Sequence, residues 1–230
     1  MNLIITIHGI LGGKSGKNGA GGLYQSRDLY KHLYDNIISP NKSLYNKINI
    51  VIHSWSKEYE QDIISHFNPD SYIIESPLYS KRHISKLYSM FKSVSLCNKL
   101  DINSSDVIFH TRFDNYYKKP LIINPKDIEQ NNTIYFPGDD LGWNNNDKQT
   151  RVCDNYFISN AKHLINYLTN NLFETYSNWI DEGTNINVRA GGTGRIDNHT
   201  IIRNIFKDKW TIVKSDEYIS KRDITIHRMK

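Results

Sequence analysis

The feature that most constrains this chain is the alternation, through its first half, of apolar β-branched runs with segments of helical period. Leu3-Ile4-Ile5-Thr6-Ile7 is the first run, and it empties into a glycine-rich stretch, residues 8–22. Residues 48–52 form a second, ending in His53-Ser54-Trp55-Ser56, and residues 71–75, 106–110 and 133–136 follow. Short, mostly apolar runs of this length, rich in β-branched residues and ending in polar turns, read as strands, the first of them buried. Between them the spacing predicts helices over 23–38, over 58–66, stopped before Pro69, and over 85–100. Such alternation builds an α/β fold with a mainly parallel, mixed central sheet and helices on both faces. The second half predicts a strand over 154–159, a long helix over 161–179, a helix over 199–206 and closing strands at 210–213 and 224–226. No repeat or Pro/Ser-rich linker interrupts the pattern, so residues 1–230 are expected to form one domain.

In such sheets ligands bind beyond the carboxyl ends of the strands, where the strand order reverses. The polar turns after the first, second, fourth and fifth strands are therefore where chemistry is expected. The net charge of +5 favours an anionic partner. The basic residues are dispersed, though, with no run of five, so a nucleic-acid footprint is not expected. Cys97 and Cys153 are far apart and lack Cys/His ligand spacing, which argues against structural zinc and fits a reducing compartment. The N-terminal run reads as a strand, not a signal peptide, and no stretch approaches the ~18 apolar residues of a membrane span. A cytoplasmic location is expected, in the host cytoplasm if the source is viral, with contact at an inner membrane face left open.

Three turns carry candidate residues. His8-Gly9-Ile10-Leu11-Gly12-Gly13-Lys14-Ser15 falls one residue short of a P-loop, because His8 stands where the first glycine is required. A loop that holds an anion through a different motif fits better. The same His8-Gly9 is compatible with a hydrolase oxyanion loop, but the chain has no G-x-S-x-G elbow. Arg112-Phe113-Asp114 closes the fourth strand: Arg112 is a permanent cation suited to phosphate, and Asp114 a carboxylate suited to a divalent cation. A simple ion pair between them is the plainer alternative. Asp139 and Asp140 lie in a polar loop after Pro137, and Asp154 directly precedes an apolar strand, where burial would raise its pKa toward neutrality. Capping or solvated-turn roles stay open for all three.

Six segments in order carry a resemblance: GGKSGKNGAGG (12–22), IVIHSW (50–55), NPDSYIIE (68–75), SKLYSMFKS (85–93), VIFHTRFDNYY (107–117) and CDNYFISNAKHL (153–164). Their order and spacing, over residues 3–172, resemble bacterial and giant-virus polysaccharide glycosyltransferases, including lipopolysaccharide and capsule-type enzymes and chlorovirus capsid-glycan transferase domains. The resemblance implies a GT-A-like nucleotide-binding fold, with a nucleotide-sugar half at about 1–120 and an acceptor half at about 121–230. It implies transfer of a hexose or deoxyhexose from a nucleotide-sugar donor to a glycan or polysaccharide acceptor, with Mn²⁺ or Mg²⁺. Arg112 and Asp114 match the family's donor and metal motif, with Asp114 as the metal ligand. The first Asp of the usual Asp-x-Asp is replaced by Arg112. Asp154 matches the acid at the start of the following strand, so the base is ranked Asp154, Asp140, Asp139. His8, Gly9, Gly12, Gly13, His53 and Trp55 complete the expected donor site. Two rival readings remain: a nucleotide- or nucleic-acid-binding protein, including a P-loop-like phosphotransferase built on residues 9–15, and a degenerate, non-catalytic transferase.

Overall fold

The structure, a computed structural model, describes residues 1–11, 26–78, 82–137, 156–170, 174, 198–215 and 224–226. Its strands are β1 (Leu3–Gly9), β2 (Ile48–Ser54), β3 (Ser71–Ile74), β4 (Val107–Arg112), β5 (Asn115–Tyr117), β6 (Thr133–Pro137), β7 (Tyr156–Asn160), β8 (Thr211–Ser215) and β9 (Ile224–Ile226). Its helices are α1 (Ser26–Leu33), α2 (Glu60–Phe67), α3 (Arg82–Ser95), α4 (Ala161–Leu168) and α5 (Asn198–Phe206). Seven strands form one sheet in the order β3-β2-β1-β4-β7-β6-β8. β7 runs antiparallel to both neighbours, and the remaining pairs are parallel, giving the mixed, mainly parallel α/β sheet expected from the sequence.

Strand alternation divides the core in two. Leu3, Ile5 and Ile7 pack with Leu29 and Leu33 of α1 and with Ile63 and Phe67 of α2. Ile4, Ile108 and Ile134 pack on the other face with Leu87, Met90 and Val94 of α3, Leu164 of α4 and Ile201 of α5. α2 stops at Asn68, which adopts φ 42° and donates its N–H to Ile64 O, a left-handed cap ahead of Pro69. After α1 the helix widens into a π-turn at Tyr34–Ile38 and ends at Ser39–Asn41. Asn41, fully buried, donates to Ile37 O and Leu121 O and accepts from Ile123 N–H.

Several boundaries differ from the sequence reading. β7 is described from Tyr156 and reverses direction, and residues 154 and 155 of the expected strand lie outside the described residues. The closing segment 224–226 joins β5 in a separate two-stranded antiparallel sheet. The helix expected over 161–179 is seen as α4, and residues 171–173 and 175–179 lie outside the described residues.

From β1 the chain steps outward through β2 to β3, then crosses back to place β4 on the other side of β1. The order reverses between β1 and β4, which fixes the switch point there.

Candidate functional site at the switch point

His53 of β2, His8 of β1 and Arg112 of β4 are Cα partners across adjacent parallel strands, one polar row at the carboxyl edge. One step inward Thr6 pairs with His110, and the Thr6 hydroxyl lies 2.8 Å from His110 Nδ1. His8 stacks on His110 with centroids 4.7 Å apart, and His110 stacks on Phe157 at 4.3 Å. His8 Nδ1 and His110 Nε2 are buried without a hydrogen-bond partner among the described residues. Burial, reinforced by the field of Lys86, pushes His110 down to about 3. Burial, then His110, Lys86 and Arg112, holds His8 well below the ordinary imidazole range. Both rings are neutral at pH 7, in a positive field that suits an anion nearby.

Arg112 and Asp114 form a bidentate pair: Nε donates to Oδ1 at 2.7 Å, and a second guanidinium N–H donates to Oδ2. The side chains are 16% and 27% exposed, so the pair sits at the surface of the edge. Fork-to-fork geometry of this kind is the strongest ordinary ion-pair arrangement.

The turn after β1 is braced on several sides. Gly9 adopts φ 107°, a conformation L side chains avoid, while a Cβ there would meet nothing within 4 Å; the demand for glycine is conformational, not steric. Gly9 O accepts from Trp55 N–H and from the Ser54 hydroxyl, both at 3.1 Å. Gly9 N–H donates to Ser89 Oγ at 3.1 Å and Leu11 N–H to Ser56 Oγ at 2.9 Å. Between them Ile10 N–H has no partner among the described residues, and the Ile10 side chain is exposed. Ser89 Oγ also lies 2.7 Å from His53 Nδ1, and His53 Nε2 lies 3.0 Å from Glu75 Oε1.

The structure thus brings His8, Gly9, His53, Trp55, Arg112 and Asp114 to one edge, with differences of role. His8 and His53 lie beneath the surface. The indole of Trp55 is buried, donates to Ser85 O at 3.2 Å and stacks on Tyr88, so the group it gives the turn is its backbone N–H. Gly12, Gly13, Asp139, Asp140 and Asp154 lie outside the described residues. β6 leaves the sheet at Pro137, and β7 re-enters it at Tyr156, opposite Thr111 of β4. Sequence reasoning missed Glu75, Ser89, Thr6 and His110, which join only through the fold; Thr6 alone gave a hint, as a hydroxyl within an apolar run.

Among the described residues no group of three or more His, Cys, Asp or Glu side chains is placed to hold a metal ion. Both Asp114 oxygens already accept from Arg112, so the pair as it stands neutralises itself, and a cation at Asp114 would have to displace the guanidinium. A groove of about 620 Å³ lies at the opposite edge, beside the amino ends of β6 and β8, lined by Asn132, His163, Lys207 and Trp210 among others. None of the candidate residues lines it. No described helix is long and apolar enough to cross a membrane.

No protein-family model and no curated protein matches the chain. Among solved structures it is similar to the apo-form glycosyltransferase GlyE of Streptococcus pneumoniae, with 8% identity and a TM-score of 0.46, covering 93% of this chain and 44% of that one. It is also similar to the galactosyltransferase LgtC in complex with donor and acceptor sugar analogues, with 12% identity and a TM-score of 0.48, covering 92% of this chain and 73% of that one. The chain therefore spans less than half the length of GlyE.

Proposed function

We propose that this chain is a glycosyltransferase that binds a nucleotide-sugar donor at the switch point and passes the sugar to a glycan or polysaccharide hydroxyl. The observation that carries the reading is the meeting, at the β1–β4 edge, of a strand end that bears the Arg112–Asp114 pair with a braced turn whose Ile10 N–H is unengaged among the described residues. A nucleoside diphosphate needs both: a guanidinium to offset phosphate charge, and backbone donors that approach closely because Gly9 turns the chain away. The order of sequence motifs from residue 3 to 172 supports the same reading. Gly12 and Gly13 are proposed to continue the donor site.

In this scheme Arg112 exchanges part of its bond to Asp114 for the donor diphosphate and stabilises the charge left as the sugar bond breaks. If a Mn²⁺ or Mg²⁺ ion takes part, Asp114 would hold it once released from Arg112, and it would supply further neutralisation of the leaving diphosphate; no step depends on it. Asp154, followed in rank by Asp140 and Asp139, removes the proton from the acceptor hydroxyl, a contribution of typically ~10²–10⁴-fold. Work in the cytoplasm or at its membrane face is proposed with it.

The test is release of nucleoside diphosphate from a panel of nucleotide sugars, with and without acceptor glycans. Asp154→Asn is expected to keep donor affinity and lose transfer. Transfer that survives within a few-fold places the base elsewhere, and wild-type chain inert toward every donor and acceptor removes the reading. Full activity in EDTA assigns the neutralisation of the leaving group to Arg112 without a metal.

A further inference from the structure

The geometry points to a three-residue relay, Glu75–His53–Ser89, as a positioning device that locks the turn after β1 in its ligand-ready shape. The inference deepens the donor-site reading above and rests on it.

The relay has one consistent proton arrangement. The Glu75 carboxylate only accepts, so the proton on His53 sits at Nε2, which donates to Oε1 at 3.0 Å. Nδ1 is then an acceptor and takes the Ser89 hydroxyl proton across 2.7 Å. That leaves a Ser89 lone pair aimed at Gly9 N–H, 3.1 Å away. Each donor meets an acceptor from β3's end, through β2 and α3, to the last residue of β1. The tautomer follows from the network and is its sequence-independent signature.

Its surroundings suit a fixed device. The His53 side chain is fully buried, wedged edge-on against Trp55 at 4.8 Å and Tyr88 at 5.5 Å. Burial lowers its basicity while Glu75 works the other way, and the net shift is downward, which keeps the neutral ring the relay needs. Ser89 is also fully buried. Glu75, 28% exposed, is the end that meets solvent, and it also bonds Tyr88.

The consequence falls on the turn. Of the three successive amides at Gly9, Ile10 and Leu11, the outer two are held by serine hydroxyls, Ser89 and Ser56. Only the middle one is without a partner among the described residues. Losing the Ser89 anchor releases Gly9, whose positive φ otherwise orients the next peptide. Glu75 and Ser89 thus act on a ligand they do not touch, by keeping the Ile10 amide presented.

The experiment compares wild type with Glu75→Ala, Glu75→Gln and Ser89→Ala. Each is titrated with UDP, GDP, CDP and dTDP in the presence of Mn²⁺, alongside melting temperature and NMR hydrogen exchange of the Gly9 amide. Glu75 is partly exposed, so its variants fold even if Ser89→Ala does not. Glu75→Ala is expected to speed Gly9 exchange and weaken the best nucleotide about tenfold, the loss of roughly one buried hydrogen bond. Glu75→Gln keeps an acceptor oxygen and should bind within about threefold of wild type. Two outcomes overturn the relay while leaving the donor site standing: unchanged affinity in Glu75→Ala and Ser89→Ala, or equal losses in Glu75→Gln and Glu75→Ala, which would mean that charge and not the relay matters. A wild-type chain that binds none of the four nucleotides overturns both.

Discussion

At the scale of single residues, the edge is a study in groups whose ordinary chemistry is suppressed. Arg112 and Asp114 hold one another in a bidentate pair near solvent. Neither residue belongs to the buried core, and Asn keeps the size and one acceptor oxygen of Asp, so Asp114→Asn should leave the fold intact. Its effect is expected on function: turnover lost, with melting temperature nearly unchanged, measured on the purified chain by donor-hydrolysis assay and thermal shift. His8 and His110 are suppressed by burial. Their folded pKa values lie below the unfolded value near 6.5, so below pH 6.5 the unfolded chain binds protons that the folded chain refuses, for His110 down to about pH 3. Stability is therefore complete above about pH 6.5 and falls with acid, by about 1.4 kcal/mol per pH unit for each ring. Urea titrations from pH 7.5 to 5 should show that slope, and His110→Phe, which keeps the stack on Phe157, should flatten it. A slope unchanged in the variant would show that His110 is not among the groups responsible.

At the scale of elements, the sheet edge depends on tethers between segments far apart in sequence. Asn41 ties the end of the first helical segment to residues 121–123. Asn41→Ala leaves a buried N–H and two carbonyls unanswered, which should cost about 2–3 kcal/mol of unfolding free energy by denaturant titration. Asn41 marks the limit of what the sequence discloses at this scale. β1, β2 and β4 are legible because each is a short, mostly apolar, β-branched-rich run, and each buries at least five consecutive residues. The reversed direction of β7 is not, because an apolar run carries no arrow; direction is set by which edge the preceding connection reaches. β5 is three residues long, and Asn115-Tyr116-Tyr117 becomes a strand only because Ile224–Ile226 comes to pair with it. The same holds for the site. Arg112 and Asp114 announce themselves by standing at a strand end. Glu75 and Ser89 flank His53 at separations of 22 and 36 residues, a spacing with no local signature.

At the scale of the whole molecule, the strand order concentrates the polar ends of β1, β2 and β4 at one reversal and leaves the large groove at the opposite edge outside the proposed chemistry. A row of His53, His8 and Arg112 beside a glycine-turned loop is the part of the proposed donor site that the described residues contain. The central claim is that this edge holds a nucleoside diphosphate, and calorimetric titration tests it most directly. Wild type and Arg112→Ala would each be titrated with UDP, GDP, CDP and dTDP, with and without Mn²⁺. At least one nucleotide is expected to bind wild type at submillimolar concentration and to bind Arg112→Ala at least about tenfold more weakly, the loss of a charge-assisted contact. No binding at millimolar concentration, with or without metal, or equal binding by both proteins, would contradict the account.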